Sequence, residues 1–157
     1  RMTGVPVEGP KASALQWGTD TEPLAQATYE QQTGFFVDTC GFLEHPLYPY
    51  AGASPDGLVG TDRGLELKCP KSSVVHLERF ISGVPEEYAP QIQGGMWVTG
   101  RTVWDFASFD PRMPESHRLL VITVKRDDAY IQRLEAAVIE AEAEVQNLLT
   151  TLERKAA

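Results

Sequence analysis

The sequence has little cysteine and no long apolar segment. Its two cysteines, Cys40 and Cys69, lie 29 positions apart in no metal-ligand motif, which excludes a disulfide-rich scaffold and a zinc ribbon. A single disulfide between them is one alternative, and two ordinary thiols in a reducing compartment are the interpretation we favour. No apolar run approaches the roughly 20 residues that a membrane-spanning helix needs, so the sequence argues against a membrane protein.

What the sequence does contain is the composition of a folded protein. Of its 157 residues, 42% are hydrophobic and 23% are charged, a balance typical of one globular domain with a continuous core. We therefore expect a single domain over residues 1–157. Because residue 1 is Arg1 rather than methionine, we interpret the chain as lacking an N-terminal segment. Nothing near its start resembles a signal peptide, and we expect a cytoplasmic protein.

The negative charge weakens a role in non-specific DNA binding without excluding it. The net charge is −8, whereas proteins that bind DNA neutralise phosphates with Lys and Arg. The excess is uneven, because residues 127–157 carry seven acidic and three basic side chains. Some of the remaining carboxylates are candidates for metal ligands, whose charge a bound cation would offset.

The pattern of apolar and turn-forming residues predicts alternating helices and strands. In chain order we expect a helix at 14–33, a strand at 35–37, an aromatic and proline-rich loop at 41–50, strands at 53–59 and 65–69 joined by a polar turn, helices at 72–81 and 85–97, strands at 102–110 and 117–125, and a long helix from residue 127. This order predicts a mixed β-sheet flanked by helices, an α/β or α+β domain. The long C-terminal helix is amphipathic, which favours packing on its own domain or on a neighbouring subunit over a recognition helix.

One hairpin concentrates the residues that can carry chemistry. In Leu65-Glu66-Leu67-Lys68 the period of two places Glu66 and Lys68 on one face of a strand and the leucines on the other. The turn before it brings Asp56 within about two positions of Glu66 across the hairpin. Two convergent carboxylates suit Mg²⁺, and the backbone carbonyl of Leu67, between Glu66 and Lys68 in the chain, could complete the coordination. Lys68 can orient or deprotonate a water molecule. An exposed hairpin with an ordinary Glu–Lys pair is the alternative.

Five motifs in a fixed order identify a family. They are Trp17-Gly18 with Glu22, Ser54-Pro55-Asp56-Gly57-Leu58, Leu65-Glu66-Leu67-Lys68-Cys69-Pro70, Ala89-Pro90-Gln91-Ile92-Gln93 with Met96-Trp97-Val98-Thr99, and Phe109-Asp110-Pro111-Arg112-Met113. Through them nearly the whole chain resembles the lambda-exonuclease-type (YqaJ-like) viral recombinase family. The resemblance implies a restriction-endonuclease-like core and a single nuclease domain.

The resemblance also implies a role for each matching residue. Asp56 and Glu66 would bind metal with the help of the Leu67 carbonyl, and Glu22 would help to hold a second Mg²⁺, with Mn²⁺ as a possible substitute. Lys68 would act on the attacking water. Gln91 would position that water or the scissile phosphate, and Ser54 would lie near the 5′-terminal phosphate. Without the resemblance, Glu22 and Gln91 would be interpreted as ordinary polar residues on helices.

The implied activity is a Mg²⁺-dependent exonuclease that digests one strand of linear duplex DNA from 5′ to 3′ and leaves 3′ overhangs. The implied partners are double-stranded DNA ends, two further copies in a ring-shaped homotrimer, and a single-strand annealing protein, in a bacterial cell that hosts a phage or prophage. An endonuclease or junction-resolving enzyme of the same superfamily is one alternative. A catalytically inactive module that binds DNA ends is another, although the intact Asp56, Glu66 and Lys68 argue against it.

Two departures from the family pattern stand out. Many relatives in the wider superfamily carry a tyrosine four residues after the glutamine, where this chain has Gly95. The N-terminal segment that contributes an Arg and a Ser to a 5′-phosphate pocket has no match here. The aromatic residues Phe42, Tyr48 and Tyr50 can stack on a base, but packing at the core or its rim is the interpretation we favour.

Overall fold

Within residues 12–156, which the computed structural model describes, five α-helices and seven strands follow one another. In chain order they are α1 (Ala12–Thr33), β1 (Val37–Asp38), β2 (Leu43–Glu44), β3 (Gly52–Ala53), β4 (Gly57–Val59), β5 (Arg63–Lys68), α2 (Ser73–Ser82), a 3-10 turn (Glu86–Tyr88), α3 (Ala89–Thr99), β6 (Val103–Phe109), α4 (Glu115–Arg118), β7 (Leu119–Lys125) and α5 (Asp128–Ala156). Arg1, on which the interpretation of a missing N-terminal segment rests, lies outside the described residues.

The strands form one five-stranded sheet and one small two-stranded sheet. The larger has the order β1-β4-β5-β6-β7, in which β1 pairs with β4 and β4 with β5, both antiparallel. The smaller joins β2 to β3, with Leu43 opposite Ala53. Helices on a mixed sheet and a long C-terminal helix confirm the predicted fold class.

Local signals in the sequence account for where helices begin and end. Gly34 ends α1 with a φ of +74°, and its N–H donates to the Glu30 carbonyl at 2.9 Å, as expected of a glycine cap. At the start of α5 the Asp127 carboxylate accepts a hydrogen bond from the Tyr130 N–H at 2.9 Å. This contact satisfies an amide that the helix itself cannot pair.

Several predicted boundaries were wrong in the segment before the hairpin. The strand expected at 35–37 begins at Val37, and the loop expected at 41–50 contains β2. The strand expected at 53–59 is divided between β3 and β4. Pro55 lies in the gap, where its lack of an N–H removes a donor that a continuous strand would need.

The later boundaries needed smaller corrections. The helix expected at 85–97 consists of the 3-10 turn followed by α3, which extends to Thr99. The strand expected at 117–125 begins at Leu119, because residues 115–118 form the short helix α4.

The chain divides into two compact units. Among the described residues, the first comprises 12–36, 67–84 and 106–122. Its buried apolar side chains include Ala25, Tyr29, Phe106, Phe109 and Leu119. Buried polar side chains lie among them, and each is hydrogen-bonded: His76, Arg79, Ser108 and Asp110.

The second unit comprises residues 37–66, 85–105 and 123–157. Its buried apolar side chains include Leu65, Ile92, Met96, Trp104 and Ile131. The first half of α5 packs on α3, as the amphipathic pattern predicted. Farther along the same helix, the side chains of Val145, Leu148 and Leu152 are exposed.

Neither Cys40 nor Cys69 forms a disulfide, in agreement with the favoured interpretation. Among the helices of the described residues, none combines the length and the hydropathy needed to cross a bilayer.

Candidate active site

A cleft in the second unit collects three of the predicted site residues. Ser54, Glu66 and Gln91 line it, together with Pro90, Gly94, Gly95 and Trp104, and its volume is about 250 Å³. Each side chain comes from a different element: Ser54 follows β3, Glu66 lies in β5, and Gln91 lies in the first turn of α3. The cleft therefore depends on the packing of α3 against the hairpin strands.

The hairpin register places Asp56 beside Glu66. In the β4–β5 pair Gly57 lies opposite Leu65, so Asp56 precedes the first paired residue of β4 and Glu66 follows its partner in β5. The Asp56 N–H donates to the Leu65 carbonyl at 3.2 Å, which extends the hydrogen bonding beyond the end of β4. Cross-strand neighbours have Cβ atoms about 4.5–5.5 Å apart, so two carboxylates on adjacent strands can converge on one cation.

Glu66 is far more buried than a residue on an open hairpin face would be. Its exposed fraction is 1%, and Leu65 and Leu67 on the opposite face are also buried. The strand is covered on both faces, which the alternation of its residues alone did not predict. An ionised carboxylate that has left bulk water requires hydrogen bonds, a positive side chain or a metal ion to offset its lost hydration.

Two glutamines of α3 have different environments. Gln93 is buried; its amide donates to the Lys125 carbonyl at 3.0 Å and its side-chain oxygen accepts from the Asp127 N–H at 2.9 Å. It therefore ties α3 to the turn between β7 and α5. Gln91 is exposed and lines the cleft, where its amide can reach a bound molecule.

The indole of Trp104 explains the glycine that replaces the expected tyrosine. A Cβ atom built on Gly95 would lie 2.5 Å from Cη2 of Trp104, and one built on Gly64 would lie 2.2 Å from Cζ3. The ring thus fills the space between β5 and α3, and no side chain fits at either glycine unless Trp104 moves. Position 95 serves helix packing in this chain.

Cys40 lies near the Ser54–Asp56 segment. Its Sγ is 4.0 Å from the carbonyl oxygen of Pro55. Burial raises the pKa of the Cys40 thiol, the charge of Arg101 lowers it in part, and the carboxylate of Asp56 raises it further. The thiol therefore stays protonated at neutral pH.

The other predicted residues belong to the first unit. Glu22 is exposed on α1, Leu67 is buried in β5, and Lys68 is half-buried at the end of that strand. Because side chains alternate along a strand, Lys68 and Glu66 project to the same side of β5. The roles of these three residues stay predictions.

The donor set of the hairpin fits a hard divalent cation. Asp56 and Glu66 offer carboxylate oxygens, and the Leu67 carbonyl is a third oxygen of the type that Mg²⁺ binds. In the described part of the chain, no three side chains of His, Cys, Asp or Glu group closely enough to hold a metal by themselves. A site here would rely on two carboxylates, a backbone oxygen and water, as Mg²⁺ sites commonly do.

A motif with no role assigned from the sequence proves to be a structural clamp in the first unit. The Asp110 carboxylate accepts hydrogen bonds from the Ser73 hydroxyl at 2.7 Å and from both Nε and Nη2 of Arg112 at 2.8 Å. The same guanidinium donates to the Lys71 carbonyl at 3.0 Å and lies 4.6 Å from the centre of the Trp17 ring. The clamp fixes the residues that follow Lys68 in the chain.

The charge of Asp110 depends on these contacts. Burial raises its pKa, but the hydrogen bonds from Arg112 and Ser73 outweigh burial and lower the pKa to about 2. The same pairing raises the pKa of Arg112. The carboxylate is therefore ionised at neutral pH, and the clamp is intact there.

His76 and His117 are joined by a structural contact in the first unit. His76 is buried, with Nε2 2.7 Å from the His117 carbonyl and Nδ1 2.9 Å from the Ser108 hydroxyl. Since a carbonyl only accepts, Nε2 carries the proton and donates to it. Arg79 donates to the same hydroxyl at 3.0 Å.

A family model for the YqaJ-like viral recombinase domain matches residues 2–102. The chain belongs to that family. The matched range contains all the predicted site residues, from Glu22 to Gln91, and ends before the Asp110 clamp.

Among solved structures, this family member is similar to an alkaline exonuclease of Laribacter hongkongensis. The identity is 40%, the TM-score is 0.88, and the match covers 96% of this chain and 77% of the other. A structure of that exonuclease in complex with dAMP matches at 39% identity over the same shares, with a TM-score of 0.89. A phage-related exonuclease of Haemophilus somnus, 14% identical with a TM-score of 0.73, covers 96% of this chain and 78% of its own and shares the fold.

The ExoD protein of Escherichia coli is 33% identical over 57 residues, which is 36% of this chain. The match spans 64% of the ExoD length, so less than two thirds of that relative is represented.

Proposed function

We propose that the protein is a Mg²⁺-dependent nuclease that digests one strand of linear duplex DNA from its 5′ end and leaves 3′ overhangs. The observation that carries the proposal is the buried carboxylate of Glu66 in a cleft with Gln91 and Ser54, with Asp56 hydrogen-bonded to the residue that precedes Glu66. Membership of the recombinase family and the likeness to alkaline exonucleases support the same reaction class.

In this proposal the carboxylates of Asp56 and Glu66 and the Leu67 carbonyl hold Mg²⁺, and Glu22 helps to hold a second ion; Mn²⁺ would satisfy the same oxygen donors. Bound there, the metal would lower the pKa of water and neutralise charge on the phosphoryl group. This is the chemistry that phosphodiester hydrolysis requires.

The side chains of the chain itself orient the reactants. Lys68 orients the attacking water, either as a neutral amine that accepts the proton of that water or as an ammonium group that stabilises the negative charge developing on the phosphate. The exposed amide of Gln91 donates to a non-bridging phosphate oxygen or to that water. The Ser54 hydroxyl, at the end of β3, donates to the 5′-terminal phosphate and so sets the position of the strand in the cleft.

We also propose that the protein assembles into a ring and acts with a partner protein. We expect a ring-shaped homotrimer that encloses the DNA, which would let a chain of net charge −8 keep its few basic residues for the substrate. A single-strand annealing protein would receive the 3′ overhang, in the cytoplasm of a bacterium that carries a phage or prophage. Molar mass from light scattering of the natural full-length protein tests the trimer directly.

The deciding experiment incubates the full-length protein with Mg²⁺ and linear duplex DNA labelled at the 5′ or the 3′ end, with closed circular DNA alongside. We expect mononucleotides from the 5′ label first, intact circles, and no product from the Glu66→Gln variant or in the presence of EDTA. Nicked circles would replace the proposal with an endonuclease or a junction-resolving enzyme. Binding of DNA ends without any cleavage would replace it with an inactive end-binding module.

A further inference from the structure

A second cavity opens beside the cleft in the same unit; we call it the aromatic pocket. Its volume is about 270 Å³, and Gly52, Pro90 and Gly94 line both cavities. Beyond these shared residues its walls include the rings of Tyr50 and Trp97 on one side and the aliphatic side chains of Leu134 and Val138 of α5 on the other. The cleft and the pocket are therefore neighbouring cavities with a common boundary.

Contacts with neighbouring side chains hold the Trp97 ring of the pocket in place. The centre of the Trp97 ring lies 4.3 Å from that of His45 and 5.6 Å from that of Tyr48. Nδ1 of His45 accepts hydrogen bonds from the N–H groups of Leu47 and Tyr48, at 3.1 and 3.3 Å. The Tyr48 hydroxyl is hydrogen-bonded to Glu135 of α5, which raises the pKa of the tyrosine. The indole is thus a preorganised surface.

The chemistry of the walls selects a flat, uncharged occupant. None of the residues that line the pocket carries a charge, and its polar side-chain groups are the phenol of Tyr50 and the indole N–H of Trp97. A phosphate would lose its hydration there without gaining a cationic partner. A nucleobase, by contrast, presents a π-face that stacks on aromatic rings whatever its sequence.

We propose that the aromatic pocket binds the base of the 5′-terminal nucleotide of the strand being cleaved. This inference rests on the proposed function, in which Ser54 contacts the 5′ phosphate. Ser54 follows β3 directly, and Gly52 of β3 lines both cavities, so Ser54 lies two residues from the boundary that the cleft and the pocket share. The terminal base leaves the duplex and stacks beside Trp97 and Tyr50, which orients its phosphodiester toward Glu66 and Gln91.

The composition of the pocket also predicts a lack of sequence preference. A site that distinguishes bases needs several donors and acceptors directed at their edges, and the side chains of the pocket offer one phenol and one indole N–H. An enzyme that digests DNA of any sequence requires that tolerance.

The test uses a substitution in α5 that fills the pocket without adding bulk to the residues that line the cleft. Val138→Phe places a ring among the lining residues, and Ile139→Phe is the matched control, since Ile139 is the next residue of α5, is 42% exposed and does not line the pocket. The substrates are linear duplexes whose 5′-terminal nucleotide either carries its base or is abasic. In single-turnover assays with Mg²⁺ and binding assays with Ca²⁺, the native protein should prefer the normal end by about tenfold.

Val138→Phe should cleave and bind normal and abasic 5′ ends equally well. Ile139→Phe should keep the preference of the native protein for the normal end. As a second variant, Tyr50→Ala removes a wall formed by a side chain that is 44% exposed, and it should reduce the preference with little effect on folding. The proposal that the pocket binds the terminal base would be overturned if the native protein showed equal rates and affinities for the normal and the abasic end. It would also be overturned if the preference for the normal end persisted in both Val138→Phe and Tyr50→Ala.

A spectroscopic readout separates this inference from the activity on which it rests. With 2-aminopurine as the terminal base, binding to the native protein and to Ile139→Phe should change the fluorescence, and binding to Val138→Phe should not. A fluorescence change without cleavage of any DNA would retain the pocket and refute the exonuclease. Cleavage of DNA with no fluorescence change would refute base binding in the pocket and retain the exonuclease.

Discussion

Removing the charge of Asp110 should destabilise the protein by an amount that depends on pH. The folded protein lowers the pKa of Asp110 from 3.8 to about 2, although its side chain is fully buried. At about 1.4 kcal/mol for each pKa unit, the clamp around this carboxylate stabilises the fold by about 2 kcal/mol at pH 7. The Asp110→Asn variant should lose roughly that amount.

The sign of the pH dependence follows from the lowered pKa. The stabilisation is complete well above pH 3.8, where Asp110 is ionised in both the folded and the unfolded chain. It falls to roughly half by pH 3 and vanishes below about pH 2, as the carboxylate takes up a proton. A protonated aspartic acid has nearly the shape of asparagine, so the native protein and the variant should converge in acid.

Urea unfolding of both proteins at pH 7 and pH 3 measures the difference in free energy directly. The control is Asp128→Asn, because Asp128 also pairs with an arginine, Arg126, at 2.7 Å, but its side chain is 76% exposed. We expect that control to cost less than about 1 kcal/mol. The reasoning is refuted if the two variants lose the same free energy, or if the loss from Asp110→Asn is the same at both pH values.

Three further outcomes test the site and its support. Lys68→Ala should lower single-turnover cleavage by about a hundredfold or more while Mg²⁺ binding, followed by calorimetry, and stability persist; loss of folding instead would make Lys68 structural. Mg²⁺ should raise the melting temperature of the native protein and not that of Glu66→Gln, as measured by scanning fluorimetry; an equal rise in both would place the metal elsewhere. Gly95→Ala should cost about 1–3 kcal/mol in urea unfolding because its Cβ meets the Trp104 ring at 2.5 Å, whereas Gly94→Ala, whose Cβ has one neighbour at 3.6 Å, should not destabilise; equal stabilities would refute the tight packing.

Helices and the central hairpin could be predicted from the sequence because their signals are local. A run of helical periodicity ended by Gly34 and a polar turn between two strands each depend on neighbouring residues. The small sheet of β2 and β3 could not, since strands of two residues are too short to show alternation. Its pairing depends on Leu43 meeting Ala53, ten positions away.

Part of the candidate site could be predicted from the sequence for the same reason. Asp56 and Glu66 are joined by a short hairpin, so their proximity follows from strand pairing alone. The difference between Gln91 and Gln93 could not be predicted, because the burial of Gln93 depends on the carbonyl of Lys125, 32 residues away. The contact of Asp110 with Ser73 spans 37 residues and gave no sequence signal beyond the motif itself.

The position of the Trp104 ring between two glycines constrains how this protein can diverge. Gly64, Gly95 and Trp104 occupy one volume, so a larger residue at either glycine is tolerated only when the indole is exchanged for something smaller. The three positions should therefore change together. A relative that carries the tyrosine of the wider superfamily where this chain has Gly95 should lack tryptophan where this chain has Trp104. Grafting that tyrosine here without the second substitution should displace α3, and Gln91 with it.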